Sequence, residues 1–227
     1  MTSAGPILGV VFDLDDTLLP EREYVRSGYA AVAEHVRVLT GRSDRFETWL
    51  WERFLRGQAE GAFDALNAAL ALGLNGQVGD LVQVYRRHAP TVQPVAGMAS
   101  LLGLLHARVR LGLLSDGYLP AQRLKLAGAK LERFFDAVVF TEELGRAAWK
   151  PSLQGFELVA SLLELPHRAC AYVADNPAKD FVAPNRLGWR TVQIVRPGQM
   201  HAHRPPVAGG RPEVVARSIG ELATALR

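Results

Sequence analysis

With 227 residues, 48% of them apolar and 22% charged, the chain can bury the core of one large domain or of a domain carrying a smaller insert. A formal charge of +3 and a pI near 9.2 arise from scattered arginines without a block of like charges, which excludes an obvious nucleic-acid patch. The single Cys170 rules out an internal disulfide, and no run reaches the roughly 18 apolar residues of a membrane span, so a cytoplasmic protein is expected, with neither nucleic acid nor membrane as partner.

The run "ILGVVF" (7–12) is short, apolar and partly β-branched, as a buried strand should be. Past Pro20 the period changes. Val25, Val32, Val36 and Leu39 recur at helical spacing up to Gly41, and Asp44 with Glu47 spells a capping box for a helix buried through Phe46, Trp49, Leu50 and Leu55. Phe63, Leu66 and Leu70 suggest a third helix, and Leu81, Val84, Tyr85 and His88 a fourth. Pro90 and Pro94 punctuate the exit from this all-helical stretch, in which Trp49, Trp51 and Phe54 read mostly as its core.

Strands and helices then alternate. Helices are expected at about 97–107, 119–128, 152–164 and 180–188, and strands at 109–115, 136–141, 169–175 and 191–195. Cys170, in "ACAYVAD", reads as a buried small hydrophobe. The Pro/Gly-rich stretch 196–212 reads as a surface loop, its His201 and His203 as solvated, and Ser218 with Glu221 caps a closing helix. The pattern predicts an α/β fold, a three-layer Rossmann-like core with a parallel sheet, interrupted after its first strand by an all-helical insertion. The expected units are a core of 1–19 and 92–227 and a cap of 20–91.

Reactive groups gather where such sheets build sites, beyond the carboxyl ends of strands. Asp13, Asp15 and Asp16 follow the first strand, in "FDLDDT". Ser115, Asp116 and Gly117 end the second, Lys150 follows the third in "WKPS", and Asp175 and Asp180 follow the fourth in "VADNPAKDF". Carboxylates this close repel and are costly to bury unless a cation shares their site, and oxygen ligands of this kind suit Mg²⁺.

In this order and at these strand ends, "DLDDT", "LLSDG", Lys150 and "ADNPAKD" resemble the four motifs of the haloacid dehalogenase superfamily, across residues 7 to about 195. The large insertion between the first two resembles that family's helical cap. The resemblance implies a Mg²⁺-dependent phosphomonoesterase acting on a small phosphorylated metabolite, a sugar phosphate or nucleotide monophosphate. It implies Asp13 as nucleophile and Asp15 as general acid and base. Ser115 would hold the transferring phosphoryl group and Lys150 would balance its charge. The metal would lie on the Asp13 and Asp175 carboxylates and the Asp15 carbonyl, with Asp180 nearby and Thr17, Asp116 and Gly117 supporting. Asp16 is expected to cap or solvate the turn that follows. Ala174 stands where relatives often carry glycine, and Asp116 where many carry asparagine. A phosphosugar mutase of the beta-phosphoglucomutase type and a silent metabolite-binding module are the alternatives.

Overall fold

The computed structural model describes residues 5–227. Six strands form one all-parallel sheet in the order β3-β2-β1-β4-β5-β6: β1 Gly9–Phe12, β2 Arg110–Ser115, β3 Ala137–Phe140, β4 Cys170–Ala174, β5 Arg190–Ile194 and β6 Val214–Ala216. The register sets Phe12 between Leu113 and Val173, so the ends of β1, β2 and β4 lie side by side. β6 extends the sheet beyond the strands the sequence predicts. Three consecutive apolar residues do not make a period that stands out from a Pro/Gly-rich tail.

Strand alternation divides the core into two layers. Val10, Phe12, Leu111, Leu113 and Val173 face α5 (Met98–His106), α6 (Ala121–Gly128) and α9 (Ile219–Ala225). Val11, Leu114 and Tyr172 face α7 (Gln154–Leu162) and α8 (Val182–Arg186) through Phe156, Val159 and Ala183. Cys170 is buried in this second layer, as expected. Ser218 Oγ accepts the Glu221 N–H at 3.1 Å and starts α9.

Between β1 and α5 run α1 (Glu21–Thr40), α2 (Phe46–Leu55), α3 (Ala62–Ala69) and α4 (Val78–Arg87). They bury an apolar cluster of their own, including Val32, Val36, Phe46, Leu50, Leu66 and Leu81. α1 ends at Gly41, whose φ of +65° supplies the left-handed turn and whose N–H reaches Arg37 O. The Asp44–Glu47 capping box does not form. The Arg42 guanidinium takes the Asp44 carboxylate at 2.7 and 3.1 Å, and α2 begins without a side-chain cap. No helix among the described residues is long and apolar enough to cross a membrane.

Candidate active site

Asp13 is the first residue past β1, anchored by its N–H to Val173 O at 2.9 Å. Its Oδ1 lies 2.5 Å from Lys150 Nζ, which also reaches Asp180 Oδ1 at 2.9 Å and donates to Tyr172 Oη at 3.0 Å. The lysine is almost wholly enclosed, its side chain 1% exposed. Carboxylate oxygens of Asp13, Asp175 and Asp180 lie within 4.8 Å of one another. The topology thus joins acids from two strand ends to a cation from a third.

Electrostatics there are strained by burial. Desolvation raises the Asp13 carboxyl to about 7 although Lys150 pulls the other way. Burial, reinforced by Asp13 and Asp180, lifts Asp175 to about 9. Burial opposes the charge on Lys150, but Asp13 and Asp180 outweigh it and hold its pKa well above the ordinary lysine value. The buried Asp175 Oδ2 has no hydrogen-bond partner among the described residues. An unpaired carboxylate oxygen facing two further acids fits a hard divalent cation, so the residues present suit Mg²⁺.

The remaining expected residues divide. Ser115, 1% exposed at the end of β2, donates to Asp116 O and Gln122 Oε1 at 3.3 Å. Asp116 is fully engaged, accepting from Thr141 Oγ1 (2.9 Å), Lys150 N (3.2 Å) and Lys179 Nζ (2.9 Å). Gly117, at φ +131°, passes so close to Gln122 that a Cβ would lie 2.3 Å from its Nε2. Thr17 is buried with its hydroxyl unpartnered among the described residues. Asp16 caps rather than solvates its turn: its carboxylate accepts Glu21 N at 2.9 Å and Met200 N at 2.6 Å, and it is 2% exposed. Arg196 and Gln199 donate to its carbonyl, both at 2.6 Å, so the expected surface loop is in part tied beneath the site. His201, expected in solvent, instead lines the cavity beside Glu21, 3.9 Å from its carboxylate.

The Asp15 carboxylate turns away from the three-acid cluster. Lys125 Nζ lies 2.8 Å from both its oxygens, and Gln122 Nε2 donates to it at 3.0 Å. Both partners sit on α6, and Lys125 also lies 4.0 Å above the Tyr24 ring centre. Gln122, Lys125 and Lys179 escape the sequence reading, although 122 and 125 share a helix face at i, i+3 spacing. A cavity of about 440 Å³ opens above Asp13, Asp15 and Asp175, with Lys125, Lys179 and Arg86 among its walls. From the helical insert, Arg86 of α4 stacks 3.5 Å over the Tyr118 ring.

The chain is similar to several known proteins. A glyceraldehyde 3-phosphate phosphatase of Methanocaldococcus jannaschii is 26% identical over 84% of this chain and 86% of its own length. The pyrimidine 5'-nucleotidase YjjG of Escherichia coli is 26% identical over 66% of this chain and 64% of its own length. Among solved structures, the HAD hydrolase YfnB of Bacillus subtilis, bound to magnesium, superposes with a TM-score of 0.68 at 20% identity, covering 98% of this chain and 99% of that one. A 2-haloacid dehalogenase of Pseudomonas syringae shares the fold too, at TM-score 0.65 and 21% identity over 97% and 98%. Residues 7–188 match the haloacid dehalogenase-like hydrolases, and with the sheet order and the clustered acids this places the chain in that hydrolase family.

Proposed function

We propose that the chain is a Mg²⁺-dependent phosphomonoesterase acting on a small phosphorylated metabolite through an aspartyl-phosphate. The observation that carries this reading is Asp15. A departing halide needs no proton, whereas a departing alkoxide does, and Asp15 is a partly exposed carboxylate two residues beyond Asp13 on the same cavity wall. The phosphatase and nucleotidase relatives support the same choice.

In this mechanism an Asp13 oxygen attacks phosphorus and the bond to the leaving oxygen breaks, while Asp15 delivers a proton to that oxygen. Water then attacks phosphorus and gives a proton to Asp15. The bond to Asp13 breaks and inorganic phosphate leaves. Lys150, already against Asp13, offsets charge in both steps, and Ser115 donates to a phosphoryl oxygen after releasing Gln122. Asp13 and Asp175 would hold Mg²⁺ with the Asp15 carbonyl, and Asp180 would steady Lys150 beside them. When bound, the cation supplies charge neutralisation that lets an anionic phosphoryl group approach an anionic nucleophile. Residues 20–91 act as a cap over a core of 1–19 and 92–227, opening for substrate and closing to exclude water.

The test is inorganic phosphate release across a panel of phosphomonoesters, with Mg²⁺ and with chelator, in wild type and Asp13→Asn. Metal-dependent release that Asp13→Asn abolishes is expected. No release from a broad panel, or release that survives Asp13→Asn, overturns the mechanism, and a requirement for a sugar bisphosphate without net release marks the mutase instead.

A further inference from the structure

A second cavity, of about 530 Å³, adjoins the first and shares with it Glu21, Val82, Tyr85 and His201. Its far wall belongs to the helical insert and carries Tyr29, Phe54 and Phe63, with Tyr85 where the two cavities meet. Their rings meet edge-on or tilted, with centroids 6.1 Å apart for Tyr29–Phe63, 5.9 Å for Tyr29–Tyr85 and 5.8 Å for Phe63–Tyr85. Such an arrangement offers ring faces and edges to a further ring. Gly28 lets Tyr85 pack against α1, since a Cβ there would lie 2.4 Å from the Tyr85 ring and push it from its place in the wall.

Charge divides the two cavities. The first holds Lys125, Lys179 and Arg86 around the acids, a place for phosphate. Among the described residues, the second is lined by Glu21 and Asp64 and by no lysine or arginine, so it repels a second anionic group. At about 530 Å³ it lies within the range of small-molecule sites, roughly 300–1,000 Å³, and a three-carbon leaving group would fill little of it. We infer that the substrate is a phosphomonoester whose leaving group carries an uncharged aromatic ring, seated among Tyr29, Phe63 and Tyr85 while the phosphate lies at Asp13. The Glu21 carboxyl and the His201 ring, at the neck between the cavities, face the linker between phosphate and ring and can hydrogen-bond its hydroxyls.

This inference rests on the phosphatase reading, and the experiment separates the two. Acetyl phosphate, propyl phosphate, benzyl phosphate and a pyrimidine nucleoside monophosphate are compared by kcat/KM in wild type, Phe63→Ala and Ala62→Leu, with Mg²⁺ present. Wild type should favour the ring-bearing substrates over propyl phosphate by about tenfold or more, the discrimination a well-packed apolar pocket supplies. Phe63→Ala, which removes a wall, and Ala62→Leu, which adds bulk where Ala62 packs between the cavity and the insert's core, should each lower that ratio about tenfold. Equal ratios in wild type, or ratios untouched by either variant, would overturn the aromatic assignment while propyl phosphate turnover still upheld the phosphatase. Release from none of the four would remove both.

Discussion

Replacing Lys125 by methionine keeps the side chain's length and deletes its charge. That charge faces both Asp15 oxygens at 2.8 Å, with the lysine side chain 5% exposed and the carboxylate 22% exposed. Exposed pairs couple by up to about 1 kcal/mol, and breaking an enclosed one costs about 3–5 kcal/mol. A pair with one partner enclosed and the other at the cavity wall belongs between, at about 2 kcal/mol. The assay is a thermal-unfolding double-mutant cycle of Lys125→Met with Asp15→Asn. For a chain of this size, about 2 kcal/mol corresponds to roughly 4–8 °C of non-additivity in Tm. Melting shifts that add to within about 0.5 kcal/mol would refute the reasoning, because contacting charges must couple.

Further outcomes follow from the same geometry. Mg²⁺ binding should release protons near neutral pH, because the free protein holds Asp13 and Asp175 at about 7 and about 9 and the ion binds their ionised forms. The raised pKa values mean that the folded state retains protons the unfolded chain has lost, so metal-free stability should fall as pH rises from about 4 towards 9. Calorimetry in two buffers of different ionisation enthalpy reads the first effect and melting curves the second; identical heats, or a flat profile, would contradict the assignment. Asp16→Ala should lower stability by about 2–4 kcal/mol, since two backbone donors, Glu21 N and Met200 N, lose a charged acceptor. Chemical denaturation would measure it, and a loss below about 1 kcal/mol would show that those bonds are dispensable. Arg86→Ala removes a contact 3.5 Å above Tyr118 that joins the insert to the core. KM should rise several-fold with a smaller change in kcat, as cation–π contacts are worth about 1 kcal/mol, and an unchanged KM would count against a closing role.

Asp13 and Asp175 are legible because each sits directly beyond a short apolar strand and Ser115 because it ends one, whereas Lys150 and Asp180, ten and six residues past β3 and β4, stand out only through the motif resemblance. Lys125 and Gln122 are different. They belong to "AQRLKLAG", in which polar residues look like the wet side of an amphipathic helix, and only the register of α6 against β1 turns that side towards Asp15. The same limit hides the anchoring of residues 196–200, whose bonds go to a backbone turn some 180 positions earlier. The capping box at Asp44 misleads for a local reason. Arg42, two residues away, competes for the carboxylate and wins.

The central place of β1 also governs when the molecule can become whole. Asp13 lies near the start of the chain, yet β1 is flanked by β2 and β4, so its neighbours are made some hundred and some hundred and sixty residues later. During synthesis the helices of residues 21–87 emerge long before Lys150, and they can gather around their own apolar cluster while the strand behind them is still unpaired. Every fragment that stops short of residue 180 therefore carries Asp13 without the full set of charges around it. The cluster of Asp13, Lys150, Asp175 and Asp180 is whole only once β4 has docked beside β1.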